Sequence, residues 1–251
     1  MPLRPMQVNI KAVDHLAVGR FWAQALGWDA VSAGPGGTAV QPPGFDWRAP
    51  GTAVALDVIA VPDPKQAAKN RVHLDLATTS PAHQAGLIAR LKSLGATPVD
   101  VGQGDDVPWT VLADPEGNEF CVLEPRETYR DSGPLAAVVV DCADPHAMSR
   151  FWGEAIDWTV VETTDDVARL RSPQGTGPYL ELLRTPGPPT AVPARRIHLD
   201  LLPYPGDDQA AETHRLRALG ATDLDLGQGP DASWTVLADP EDHEFCVLSL
   251  T

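Results

Sequence analysis

Cysteine is scarce in this chain, positive charge is short and long apolar runs are missing; each shortage excludes a class of protein. Cys121, Cys142 and Cys246 are the only cysteines in 251 residues. An odd, sparse set rules out a disulfide framework and suits a reducing, cytoplasmic setting. No apolar run approaches the ~18 residues of a membrane helix, and the opening MPLRPMQVNIKAVD lacks a signal-peptide core. A soluble cytoplasmic protein is therefore expected. Lys and Arg number 19 against 34 Asp and Glu, a net charge of −15, and the acids are scattered along the chain. Such a surface repels phosphate backbones and anionic lipid, which excludes nucleic acid and membrane as partners. The Gly34-Pro35-Gly36-Gly37 run lacks the spacing and strand-to-helix context of a nucleotide loop. No Ser-His-Asp arrangement can be argued from spacing.

What the chain does have is a hydrophobic content of 43%, enough for real cores, and 25 prolines that punctuate periodic segments. It also repeats itself. WTVLADPEGNEFCVLE (109–124) returns as WTVLADPEDHEFCVLS (234–249), with 13 of 16 positions identical at an offset of 125. The same offset relates RVHLDL (71–76) to RIHLDL (196–201) and LGAT (94–97) to LGAT (219–222). RFWAQALGW (20–28) matches RFWGEAIDW (150–158) at an offset of 130. This is a tandem duplication: a first domain over 1–126, a polar linker over 127–134 and a second domain over 135–251.

Within a copy, the alternation of QVNIKA (7–12) predicts a strand. Asp14 then caps a helix whose Val18, Phe21, Trp22, Ala25 and Leu26 share one face, and Gly27 ends it. Three short strands are expected near 29–33, 38–41 and 53–61. A further strand over 70–77 follows, then a helix opened by Ser80-Pro81, then strands near 97–101, 109–113 and 119–124. Each copy therefore reads βαβββ twice. The second copy repeats the logic from Asp144 and Pro145.

That order, with the FW helix, the HLDL strand and the final DPEGNEFCVL hairpin, resembles the vicinal-oxygen-chelate superfamily of glyoxalase and bleomycin-resistance proteins. The resemblance covers nearly the whole chain. It implies an α+β fold of two tandem domains, each made of paired βαβββ modules that form an open eight-stranded cup with the ligand or metal inside. It further implies cup-facing positions at Gln7, Asp57, His73 and Cys121 in the first copy, and at Ala137, Glu181, His198 and Cys246 in the second. The last-strand position is usually Glu, here Cys in both copies, and Ala137 cannot ligate. A tandem pair of domains can also act as its own partner, which suggests a monomer with an internal pseudo-dimer.

Two readings of these positions stand side by side. Gln7, Asp57, His73 and Cys121 can bind a divalent ion, with zinc, nickel, manganese or iron as candidates. Alternatively, a Cys inside Phe120-Cys121-Val122-Leu123 is a small buried hydrophobe, and His73 is held by Asp75 with no ion present. Trp109 and Trp234 open strands that line the cups and offer stacking surfaces. Phe21-Trp22 and Phe151-Trp152 read as core, and Asp114-Pro115-Glu116-Gly117 as a turn. His15, His83, His146, His214 and His243 read as solvated.

The favoured expectation is a small-molecule binder that needs no cofactor. In it His73 with Asp75, and His198 with Asp200, anchor an organic ligand, while Asp57 and Glu181 add negative charge suited to a cation. The alternative is a lyase, isomerase or dioxygenase in which His73 and His198 are catalytic, either beside a metal or as general bases. Of the two copies the first is expected to work, since its potential donors are complete.

Overall fold

The computed structural model describes residues 3–48, 53–104, 106–185, 195–229 and 232–249. The first copy contains β1 (Arg4–Ala12), α1 (His15–Leu26), β2 (Asp29–Gly34), β3 (Gly37–Gln41) and β4 (Ala55–Ala60), then β5 (Val72–Leu76), α2 (Pro81–Ser93), β6 (Thr97–Pro98), β7 (Thr110–Ala113) and β8 (Glu119–Val122). A 3-10 turn, Glu127–Tyr129, lies between the copies. The second copy contains β9 (Leu135–Cys142), α3 (Pro145–Ala155), β10 (Thr159–Thr163), β11 (Val167–Arg171) and β12 (Tyr179–Arg184), then β13 (Ile197–Leu202), α4 (Gln209–Ala218), β14 (Thr222–Asp223), β15 (Trp234–Ala238) and β16 (Glu244–Leu248).

Local chemistry sets most of these bounds. The Asp14 carboxylate accepts from the Ala17 N–H at 2.9 Å, and Gly27 closes α1 at φ 67°. Ser80 caps α2 through the His83 N–H at 3.0 Å. The strand expected over 97–101 stops after Pro98. Beyond it Asp100 accepts from the Gly102 N–H at 2.8 Å, and turn geometry displaces the ladder.

The sixteen strands form two open eight-stranded sheets, ordered β14-β15-β16-β13-β1-β4-β3-β2 and β10-β11-β12-β9-β5-β8-β7-β6. Each sheet is a pair of modules, and the pair joins different copies. β1 runs antiparallel to β13, with Gln7 opposite Asp200 and Asn9 opposite His198. β5 runs antiparallel to β9, with His73 opposite Val139 and Asp75 opposite Ala137. The first cup thus combines β1–β4 with β13–β16, and the second combines β5–β8 with β9–β12.

Core packing instead links modules of the same copy. Trp22 of α1 stands edge-on to Phe21 and to Phe120 of β8, at 5.4 and 5.1 Å between centroids. Its indole N–H donates to Asp114 at 3.2 Å. Trp152, Phe151, Phe245 and Asp239 repeat the arrangement in the second copy. Asp114 also accepts from the Glu116 and Asn118 N–H groups, which confirms a structural turn. Where the first copy has Gly117 at φ 86°, the second holds Asp242 at φ 67°.

One expectation about histidine needs correction. His243 is buried: its Nδ1 lies 2.9 Å from Asp239 and its Nε2 2.7 Å from the Asp141 carbonyl. It takes the place of Asn118 behind the turn, where an imidazole reaches further than an amide. Among the described residues no helix is long and apolar enough to cross a membrane.

Candidate functional site: a hollow in the first cup

The period-2 alternation of strands decides which side chains face each hollow. In the first cup β1 presents Gln7, Asn9 and Lys11, β4 presents Asp57, and β13 presents His198 and Asp200. Glu244 and Cys246 come from β16, and Trp234 and Val236 from β15. Together they line a cavity of about 700 Å³.

Its floor is a chain of polar contacts. Gln7 Nε2 donates to Asp200 Oδ2 at 2.8 Å and lies 3.4 Å from Asp57 Oδ2. His198 Nε2 is 3.2 Å from Asp200 Oδ1 and 3.5 Å from Cys246 Sγ, while its Nδ1 is 3.1 Å from Glu244. Lys11 Nζ bonds both Glu244 oxygens, at 2.8 and 2.9 Å. Burial, reinforced by Asp200, raises the Asp57 carboxyl from 3.8 to about 6, against the opposing pull of His198 and Gln7. Burial, with Asp200 and Glu244, pushes the Cys246 thiol well above the usual range, so it is a neutral thiol at pH 7.

The second cup is built at the same register and carries larger side chains. Ala137 and Val139 stand where the first cup has Gln7 and Asn9, and Glu181 stands where it has Asp57. Arg169 pairs with Glu181 as Ala39 pairs with Asp57, and Tyr179 sits opposite Ala137 as Ala55 sits opposite Gln7. From the linker, Tyr129 enters the hollow and is only 4% exposed. Its hydroxyl donates to Glu181 Oε1 at 2.7 Å, and Arg169 Nε donates to the same oxygen at 2.8 Å. The Tyr129 and Tyr179 rings meet edge to face at 5.7 Å. Tyr129, Tyr179, Ala137 and Val139 form one apolar cluster, with Trp109 and Cys121 against it. His73 Nε2 remains 3.4 Å from Asp75.

The four donors expected to converge in the first copy do not meet. Gln7 and Asp57 lie in the first cup, and His73 and Cys121 in the second, because the sheets pair modules of different copies. The first cup unites Gln7 and Asp57 with His198, Asp200, Cys246 and Trp234; the second unites Glu181 with His73, Asp75, Cys121 and Trp109. Asn9, Lys11 and Glu244 were missed, although alternation from Gln7 and Cys246 points to all three. Tyr129 was missed because the linker has no apolar period to announce a buried ring.

Each cup also holds a tighter group: His198, Asp200 and Cys246 in one, and His73, Asp75 and Cys121 in the other. The donor atoms of each group lie within 4.8 Å of one another. A nitrogen, oxygen and sulfur set suits zinc or another borderline-soft ion. Asp200 Oδ1 is buried with only the His198 imidazole against it, at 3.2 Å, so the first-cup residues fit such an ion.

The glyoxalase-like domain family matches residues 7–123 and again 137–248. Among solved structures, glyoxalase I from Zea mays is similar, with a TM-score of 0.67 at 15% identity, over 98% of this chain and 92% of that one. A putative dioxygenase from Bacillus subtilis gives a TM-score of 0.59 at 15% identity, over 98% and 86%. At such identity both likenesses concern the fold alone. No curated protein matches the chain. The family match, present twice, makes this chain a member of the glyoxalase-like domain family, within the vicinal-oxygen-chelate superfamily, with two tandem domains.

Proposed function

We propose that the first cup binds a small organic molecule, without metal and without turnover. One contrast carries the reading: the first cup encloses a hollow of about 700 Å³ and has Ala39 and Ala55 in register where the second has Arg169 and Tyr179, which pack with Tyr129 around Glu181. A largely apolar cavity with a few convergent polar groups is the usual make-up of a small-molecule site. His198, Asp200, Gln7 and Asp57 orient the ligand, and Trp234 at the mouth, 43% exposed, offers a stacking face.

The metal reading is second. A divalent ion there would be held by His198, Asp200 and Cys246, and would supply Lewis-acid polarisation of a substrate carbonyl. This chain's own residues would then orient the substrate from Gln7 and Asn9 and shield it from water behind Trp234. The reading ranks lower because the same triad persists in the second cup, where Tyr129, Tyr179 and Arg169 crowd the matched carboxylate. It therefore tracks the duplicated scaffold rather than an open site.

The test is a ligand-observed NMR fragment screen on chelator-treated protein, repeated with Ile59→Trp to fill the hollow. Hits at one per chain, lost in the variant, are expected. Hits that survive Ile59→Trp overturn the reading. Hits that vanish on chelation and return with zinc favour the metal-dependent alternative.

A further inference from the structure

The two cups answer the matched carboxylate, half-buried at Asp57 and buried at Glu181, in different ways. In the second, the Glu181 carboxylate meets a guanidinium from the chain itself, Arg169 Nε at 2.8 Å, and a hydroxyl donor, Tyr129, at 2.7 Å. In the first, the matched carboxylate is Asp57 and the matched partner is Ala39, which has neither charge nor donor. Asp200 adds a second carboxylate beside it, and the one amide between them donates at 2.8 Å to Asp200 and reaches Asp57 only at 3.4 Å.

The cations that border the cavity are already engaged, none of them with Asp57, and the His198 imidazole lies between Asp200 and Glu244. Lys11 is bonded to Glu244, Arg195 forks onto Asp242, and Arg196 reaches Glu116 and the Asp63 carbonyl. One acceptor inside is unanswered: Asn9, 6% exposed, lines the cavity between Asp57 and His198 in the register, and its Oδ1 has no hydrogen bond. Asp200 Oδ1, also buried, meets only the His198 imidazole, at 3.2 Å. A buried acceptor without a donor is costly, and a buried carboxylate without a cation more so.

We infer that the first cup is selective for an organic cation with N–H donors, a primary ammonium or guanidinium, whose charged head lies among Asp57, Asp200 and Asn9. The ligand supplies what Arg169 supplies in the second cup. Trp234 at the mouth adds a face for the apolar or cationic remainder of the molecule. The inference rests on the proposal that this cup is a small-molecule site and narrows the chemistry of its ligand.

Calorimetric titration of chelator-treated protein with benzylamine, benzyl alcohol and benzoate tests it. These probes share a ring and differ in the head group. Benzylamine is expected to bind at least about tenfold tighter than the other two, since charge-assisted hydrogen bonds exceed neutral ones. Ala39→Arg places an internal guanidinium beside Asp57 and should remove the preference. Asp57→Asn, of unchanged shape, should reduce it. Equal or tighter binding of the alcohol or benzoate, abolished by Ile59→Trp, overturns the cation assignment and leaves the cup as a binding site. Binding of none of the three counts against both. Zinc at one per chain in protein purified without added metal also overturns the inference, because the ion then answers the charge.

Discussion

A single tyrosine separates the two cups most sharply. The Tyr129 hydroxyl bonds to Glu181 inside an apolar cluster, so Tyr129→Phe leaves that carboxylate with Arg169 alone. The expected loss is about 1–3 kcal/mol in urea unfolding, with benzylamine binding unchanged. Loss of binding in a folded variant would place the ligand in the wrong cup. Asp57 gives a pH signature. Its carboxyl is raised from 3.8 to about 6 by burial first, so the fold favours the protonated form. Its contribution to stability is full below the unfolded value and is lost as pH rises through 6. Asp57→Asn should therefore be neutral near pH 4 and stabilising at pH 7.5, on the order of 1 kcal/mol after solvent screening. An unchanged urea midpoint at pH 7.5 would contradict this.

At the level of elements, α1 and α3 hold each copy together from behind the sheets. Trp22 and Trp152 are each 1% exposed and share aromatic and hydrogen-bonded partners with the hairpin of their own copy. Truncation to Ala should cost about 3–5 kcal/mol at either site, through lost burial and an unfilled cavity. Matched losses in denaturant unfolding are expected, since the two environments repeat. The helices, caps and turn were legible in the sequence because Asp14, Ser80, Gly27 and the Asp114 turn act through neighbours a few residues away. Cup lining was half legible. Alternation names Gln7, Asn9 and Lys11 as one face, but that Asp57, His198 and Asp200 share it depends on which strands register brings alongside.

Across the whole molecule, the cross-copy sheets make the halves depend on each other. β1 meets β13 and β5 meets β9, so neither cup survives in one copy alone. Residues 1–126 expressed alone would expose the edges of β1 and β5. We expect that fragment to self-associate or aggregate, and to form a 1:1 complex when produced with 135–251. The intact chain, with both edges covered internally, should sediment as a monomer. A mass of two chains for the intact protein, or a stable monomeric fragment, would contradict that view of the assembly.

The sequence alone was enough for the duplication, the module order and the family resemblance, because those follow from local periodicity and from residues that recur at constant offset. It could not say which modules share a sheet. RVHLDL and RIHLDL are nearly interchangeable, so strand patterning does not choose between β5 and β13 as the neighbour of β1. Only the tertiary structure made that choice. In doing so it moved Gln7 and Asp57 beside His198 and Asp200, sent Tyr129 against Glu181 in the other cup, and left a hollow of about 700 Å³ in the first.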